Sequence, residues 1–287
     1  MAEKVRALGV ELCPESDASA LQRLLPEVEI LWHVLKPVTA EVIGAAPKLK
    51  LIQKIGSGVN TIDVEAAKRR GIAVCNLPGT NSRAVAEMTL LLMLACLRRL
   101  PELAHAVHAG RWLDAWKLQD NFGELGGRTV GLLGYGAVPR LLAPILEAMG
   151  AKVLYWSRSA SNADFATVLA TSDIVSLHLP LTSETERCVD PRRMKRGAIL
   201  VNTARGGLVD EAALLEALRS GHLAATGLDV FAEEPLRADH PLLALPNVVC
   251  APHLAWLTQE TLERSITAAM ENVRRLADGR ALLNRVA

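Results

Sequence analysis

One segment constrains the fold more than any other: an apolar strand run that passes through two glycines into a helix. Thr129-Val130-Gly131-Leu132-Leu133 is followed at once by Gly134-Tyr135-Gly136-Ala137-Val138-Pro139, and a helical pattern continues to Met149, where Gly150 stops it. In that setting the first glycine permits a tight turn. The second lets the backbone approach a pyrophosphate, which then faces the positive end of the helix. Gly134, Tyr135, Gly136, Ala137 and Val138 are therefore the expected dinucleotide-binding turn. Pro139 stands where a third glycine is usual. Proline is tolerated there, because the first N–H groups of a helix have no intrahelical acceptor, but it cannot give the close helix–strand contact of glycine. Pro144, in mid-helix, is expected to remove one hydrogen bond and bend the axis.

Strands joined through helices pair in parallel, so this unit predicts its neighbours. Downstream, residues 152–156, 174–179, 198–202 and 225–228 read as buried strands. Upstream, a separate set covers residues 28–32, 49–55 and 72–76, with a helix over 63–70. A long apolar helix over 84–100, capped by Asn81 or Ser82, lies between the two sets, with Glu87 in its early part in a structural role. Residues 110–127 are polar, contain Trp112 and Trp116, and read as a connection. The last helix is expected over 260–277. The predicted class is α/β, built from two parallel-sheet units.

The composition excludes several function classes. With 32 Lys and Arg against 31 Asp and Glu, neither half of the chain carries a basic excess suited to nucleic acid. The longest apolar run, 88–97, is too short to cross a bilayer. Met1-Ala2-Glu3-Lys4 lacks the apolar core of a signal peptide, which points to the cytoplasm. Cys13, Cys75, Cys96, Cys188 and Cys250 stand far apart in mostly apolar contexts and read as reduced, buried thiols. His33, His105, His108, His222 and His240 form no metal-ligand spacing. Trp32, His33 and Leu35 follow a strand; they either face a binding cleft or form a core Trp beside a surface His.

Three short motifs at strand ends carry complementary chemistry. They are Val201-Asn202-Thr203-Ala204-Arg205-Gly206-Gly207, Leu228-Asp229-Val230-Phe231-Ala232-Glu233-Glu234-Pro235 and Ala251-Pro252-His253-Leu254-Ala255. Ligands of open α/β sheets gather at the carboxyl ends of strands. A 2-keto acid needs a cation for its carboxylate and carbonyl oxygen, and Arg205 supplies a bidentate fork. Ketone reduction also needs a proton at oxygen as hydride reaches carbon, for which His253 is the natural donor and Glu234 its orienting carboxylate.

Together these segments resemble the signatures of the D-isomer-specific 2-hydroxyacid dehydrogenases, which include glyoxylate/hydroxypyruvate reductases, D-lactate and phosphoglycerate dehydrogenases and formate dehydrogenase. The resemblance runs from Lys54-Ile55-Gly56-Ser57-Gly58-Val59-Asn60 through Ala84-Val85-Ala86-Glu87 to Pro252-His253. It implies a catalytic triad of Arg205, Glu234 and His253, and a substrate carboxylate held by backbone N–H groups near Ser57 and Gly58. It places Asp229 beside the nicotinamide carboxamide, and His178 and Pro180 on a loop flanking the adenosine, with His178 structural or cofactor-adjacent. Thr203, Ala204, Arg205, His253 and Ala255 complete the implied cofactor contacts. The implied architecture is two Rossmann-like parallel-sheet domains with a cleft between them. A discontinuous substrate domain takes residues 1–83 and 265–287, and a dinucleotide domain takes 84–264 with the interdomain helix. The resemblance further implies a homodimer joined through the coenzyme domains. Trp256, three residues after His253, replaces a residue that is usually small.

Cofactor choice is read from the strand after the glycine turn. An acid about 20 residues past the glycines hydrogen-bonds the ribose hydroxyls in NAD-specific folds. Here the strand ends in Ser157-Arg158-Ser159 with no carboxylate before Asp164. Arg158 suits a 2′-phosphate, with the Ser157 and Ser159 hydroxyls as further donors. NADP(H) is the expected cofactor and NAD(H) the alternative, with Arg158 then a solvated turn residue. The function expected is hydride transfer between NAD(P)H and C2 of a small 2-keto or 2-hydroxy acid. The competing expectation is a nucleotide-sensing, co-repressor-like binding protein on the same fold, against which the lack of appended partner-binding tails argues.

Overall fold

The structure is a computed structural model that describes residues 5–13, 17–112 and 122–287. Trp116 lies outside the described residues. The chain divides into two compact units, Met1–Asn81 with Leu257–Ala287, and Ser82–Trp256. The expected boundary at 264 falls inside the last helix, Gln259–Ala277, which belongs whole to the first unit.

The first unit holds a parallel three-stranded sheet in the order β1-β2-β3, formed by Ile30–His33, Leu51–Lys54 and Ala73–Cys75. Helix α1 (Ala18–Leu24) precedes β1, and α2 (Ala40–Gly44) and α3 (Val64–Arg69) connect the strands. Asp63 starts α3 by accepting the Ala66 amide at 2.8 Å. Ile43, Ile52, Ile72 and Val74 form the core on one side. The C-terminal segment is tied in by a buried polar contact: Asn272 donates to Gln53 Oε1 at 2.7 Å and accepts the Leu283 amide at 2.8 Å. Both amide side chains are fully buried, so each needs the other to offset its lost hydration. His33 is also buried, against the expectation of a surface histidine. It ends β1 opposite Lys54 and lies 3.4 Å from the Thr61 hydroxyl. Trp32 packs on Ile55, Leu77 and Ala269.

The second unit carries a six-stranded, all-parallel sheet in the order β5-β4-β6-β7-β8-β9. The strands are β4 (Thr129–Leu133), β5 (Lys152–Trp156), β6 (Ile174–Leu177), β7 (Ala198–Asn202), β8 (Leu223–Leu228) and β9 (Val248–Cys250). Strand β7 is buried along its whole length, as a parallel strand covered on both faces must be. Helix α4 (Ser82–Arg98) covers one face with Leu92, Met93, Cys96 and Leu97. It approaches β8 so closely that a Cβ at Gly227 would lie 2.9 Å from Leu92 Cβ. The other helices are α5 (Leu100–His108), α6 (Ala137–Ala148), α7 (Phe165–Thr171) and α8 (Glu211–Arg219), and Gln259–Ala277 of the first unit is α9.

The expected helix over 84–100 is α4, and a further helix, α5, follows it that was not expected. Arg99 takes a left-handed conformation with φ 47° and Pro101 begins a new turn, because proline cannot continue the ladder of α4. Strand β9 had no range of its own in the sequence reading, though the Ala251-Pro252-His253 motif was placed at a strand end. Helix α6 continues through Pro144, which faces solvent, so the missing donor is on the hydrated side. Cys13 and Cys250 are exposed, which corrects the expectation that all the thiols are buried. Among the described residues, no helix is long and apolar enough to cross a membrane.

Candidate active site

Strand order places the nucleotide turn. After β4 the chain adds β5 on one side and β6 on the other, so the sheet changes direction at β4. Open α/β sheets bind ligands outside the carboxyl ends of strands at such a point, and Gly134 follows the end of β4 there. Gly134 has φ 101°, and a Cβ on it would meet the His178 carbonyl oxygen at 2.4 Å, so the fold itself demands glycine. Gly136 differs. Its φ is −86° and a Cβ would touch nothing within 4 Å. The space it leaves open lies at the start of α6, where Gly136 is the N-cap and no side chain caps the helix. An uncapped helix start beside an open glycine fits a diphosphate. Pro139 is buried in the first turn, where its missing donor is not needed.

Tyr135 is held from both sides. Its ring stacks on Tyr155 at 3.8 Å and 14°, and the Arg140 guanidinium lies 4.9 Å from its centroid. Arg140 also donates to the Tyr135 carbonyl at 3.2 Å. Neither Tyr155 nor Arg140 was singled out from the sequence; β4–β5 pairing (Leu132 opposite Tyr155) brings the first to the turn, and the first turn of α6 brings the second.

The turn after β5 is closed on itself. The Ser157 hydroxyl donates to the Ala160 carbonyl at 2.7 Å and accepts the Ala160 amide at 3.0 Å, so its one proton is spent inside the turn. Ser157 was expected as a phosphate donor, and its hydroxyl proton is already engaged. Asn162 anchors the returning chain to Tyr155 and Val153. Arg158 is exposed, and its guanidinium lies 3.8 Å from the Glu184 carboxylate. The loop after β6 carries His178, whose Nε2 is 3.0 Å from the Ser176 hydroxyl and whose pKa burial lowers to about 4. Pro180 is exposed, and its carbonyl accepts the Thr185 hydroxyl at 2.6 Å.

Arg205, Glu234 and His253 converge at the ends of β7, β8 and β9. Asn202, the last residue of β7, shapes the first loop: its Nδ2 donates to the Arg205 carbonyl and its Oδ1 accepts the Ala204 amide. Gly206 then lets this loop meet the next, since a Cβ there would fall 1.9 Å from the Phe231 carbonyl carbon. Thr203 is buried and its hydroxyl pairs with that of Thr89 on α4 at 2.9 Å. Glu234 Oε1 accepts the Phe231 amide, and Oε2 lies 2.6 Å from His253 Nδ1. Burial raises the Glu234 pKa, but the His253 hydrogen bond, the Phe231 amide and the charges of His253 and Arg205 outweigh it and hold the pKa below the usual value. Burial lowers the pKa of Arg205, against the opposing charge of Glu234.

Asp229 supports the third loop. Its carboxylate, almost fully buried, accepts the Leu254 and Ala255 amides at 2.9 Å each. Ala255 is buried, with that amide engaged. The Trp256 indole N–H donates to the His253 carbonyl at 3.1 Å, so the large ring folds back on the histidine loop. In the first unit, Ser57 is exposed and follows Gly56 at φ 141°. Its carbonyl accepts from Asn76, and Gly58 follows in the same turn. Glu87 is exposed on α4, as a structural role allows. No group of three or more His, Cys, Asp or Glu among the described residues could hold a metal ion.

Residues 90–255 match the NAD binding domain of the D-isomer specific 2-hydroxyacid dehydrogenases. The chain is also 41% identical over 281 residues to a glyoxylate reductase of Aeropyrum pernix, across 91% of this chain and 83% of that protein. The chain belongs to the D-isomer-specific 2-hydroxyacid dehydrogenase family. Its fold agrees with that of solved structures. The TT0316 protein of Thermus thermophilus superposes with a TM-score of 0.87 at 38% identity, covering 99% of this chain and 96% of that one. A Staphylococcus aureus NAD-dependent formate dehydrogenase, solved with NAD, gives 0.88 at 28% identity, covering 99% and 90%. The protein is thus an NAD(P)-dependent oxidoreductase of the 2-hydroxyacid dehydrogenase type. The strand order, the open glycine and the uncapped helix suit its nicotinamide dinucleotide.

Proposed function

We propose that this dehydrogenase reduces the carbonyl of a small 2-keto acid with NADPH, and that His253 delivers the proton. The 2.6 Å contact between His253 Nδ1 and Glu234 carries the reading. Glu234 is held in its ionised form, and a carboxylate on Nδ1 fixes that nitrogen as a donor and sets the ring plane. Nε2 is then the nitrogen that faces the reacting oxygen. When bound, the nicotinamide supplies the hydride. Arg205 binds the substrate carboxylate and carbonyl oxygen through its planar fork, and the backbone N–H groups around Ser57 and Gly58 hold the carboxylate. Arg158, on a turn without a carboxylate of its own, binds the 2′-phosphate. Preference for NADPH implies the reductive direction, because cells generally keep this cofactor reduced.

Because several relatives are named glyoxylate reductase, glyoxylate and hydroxypyruvate are the first substrates to assay. The decisive variant is His253→Ala. Turnover should fall by about 10²–10⁴-fold, the usual worth of general acid–base catalysis, with NADPH affinity unchanged. Near-native reduction by this variant would remove His253 from the mechanism.

A further inference from the structure

The strand order β5-β4-β6 sets two loops on either side of the glycine turn, and they carry opposite charges. One is the turn after β5, with Arg158 as the cation between Trp156 and Asn162. The other follows β6 and carries Glu184. Both loops are locally fixed. The first is closed by the Ser157–Ala160 bonds and by the bridge between Trp156 and Ser161. The second is knotted around Thr185, whose hydroxyl donates to the Pro180 carbonyl and accepts the Thr182 amide at 2.8 Å, while the Glu186 amide donates to the Thr182 carbonyl at 2.9 Å. The Arg158 and Glu184 side chains meet across the gap at 3.8 Å.

We propose that Glu184 is a specificity-determining residue that competes with the cofactor 2′-phosphate for Arg158. This rests on the reading of Arg158 as the phosphate ligand. A phosphate arriving at the guanidinium displaces the carboxylate and then lies beside a like charge. A ribose bearing only hydroxyls leaves the pair intact. Glu184 thus narrows a preference for NADP(H) that Arg158 creates, and keeps NAD(H) usable by the same site. Both side chains are well exposed, so the effect is the modest one of a solvated charge pair.

The experiment is calorimetric binding of NADP+ and NAD+ to the full chain and to Glu184→Gln, with Glu186→Gln as a control of equal charge change on the same loop. Glu184→Gln should lower Kd for NADP+ by about two- to fivefold and leave Kd for NAD+ unchanged. The gain should shrink in high salt, because exposed charges are screened. Glu186→Gln should shift neither. Equal shifts for both nucleotides, no shift, or the same shift in the control would overturn the proposal. Arg158→Ala separates this outcome from the underlying assignment. If it weakens NADP+ while Glu184→Gln does nothing, the role of Arg158 stands and that of Glu184 falls. If it leaves NADP+ binding unchanged, both fall.

Discussion

The backbone carbonyl of Asp229 accepts the amide of His253 at 2.8 Å, and the Asp229 carboxylate takes the two amides that follow. His253 needs this clamp because its φ is 57°, a left-handed conformation that costs a non-glycine residue about 1 kcal/mol or more. Burial raises the Asp229 pKa, and the Ala255 and Leu254 amides and the nearby His253 oppose the rise. Asp229 is thus a positioning residue for the His253 loop. Asp229→Ala should lower kcat by about 10²-fold, the scale of a small misplacement of a reacting group. Asp229→Asn keeps one acceptor oxygen and should recover part of that loss. An Ala variant with wild-type kcat would show that the loop holds its shape without the carboxylate.

Arg205 tests a different property. Its loop is shaped by Asn202 and wedged by Gly206, and neither depends on the guanidinium. Arg205→Lys keeps the charge and loses the fork, so KM for the keto acid should rise and kcat fall, with the nucleotide still bound. Steady-state kinetics beside a nucleotide titration separate these effects. Wild-type KM and kcat together would take Arg205 out of the substrate site.

Trp256 is tied to the catalytic loop by its indole N–H. We propose that its ring bears on which keto acids are accepted. Trp256→Gly should change the ranking of keto acids by side-chain size, while Trp256→Phe, which loses the N–H and part of the ring but keeps an aromatic side chain, should change it less. A ranking unaltered in the glycine variant would mean that the ring plays no part in selection.

His33 predicts an acid limit to stability. Its burial, with the charge of Lys54, lowers its pKa from the ordinary 6.5 to about 4. Between those values the unfolded chain binds a proton that the folded chain refuses. Stability is therefore intact above about pH 6.5 and falls as pH drops toward 4, by up to about 1.4 kcal/mol per pH unit for this one group. His178 has the same sign. Denaturant titrations at pH 7, 5.5 and 4.5 should show a shallower decline for His33→Gln than for wild type; parallel declines would place the acid sensitivity elsewhere.

Local pattern was enough for the elements whose surroundings are uniform. Strands β4 and β7 fall where apolar runs placed them, because a strand buried on both faces of a parallel sheet must be apolar throughout; the edge strand β5 also falls at its expected 152–156. The glycine turn was legible for the same kind of reason, since a strand, two glycines and a helix occupy adjacent positions in the chain. Helix α5 was not, because it follows α4 after the single residue Arg99 in a left-handed conformation, and one dihedral angle leaves no periodicity to read.

Sequence alone determined which chemical groups this protein owns: a dinucleotide turn, a cation, an acid and an imidazole at strand ends, and a basic turn in place of an acidic one. Only the tertiary structure decided which of them meet. Glu234 reaches His253 because β7, β8 and β9 are sheet neighbours, and Gly206 lets the Arg205 loop come close. Ser157 is spent within its own turn, and Asp229 is committed to the backbone of the histidine loop. Arg158 faces Glu184 because the sheet order sets β5 and β6 on opposite sides of β4. The physical reason is common to all of these. Residue identity sets what a group can donate, accept or charge, whereas distance sets whether it does, and distances between segments far apart in the chain are fixed by strand order and packing.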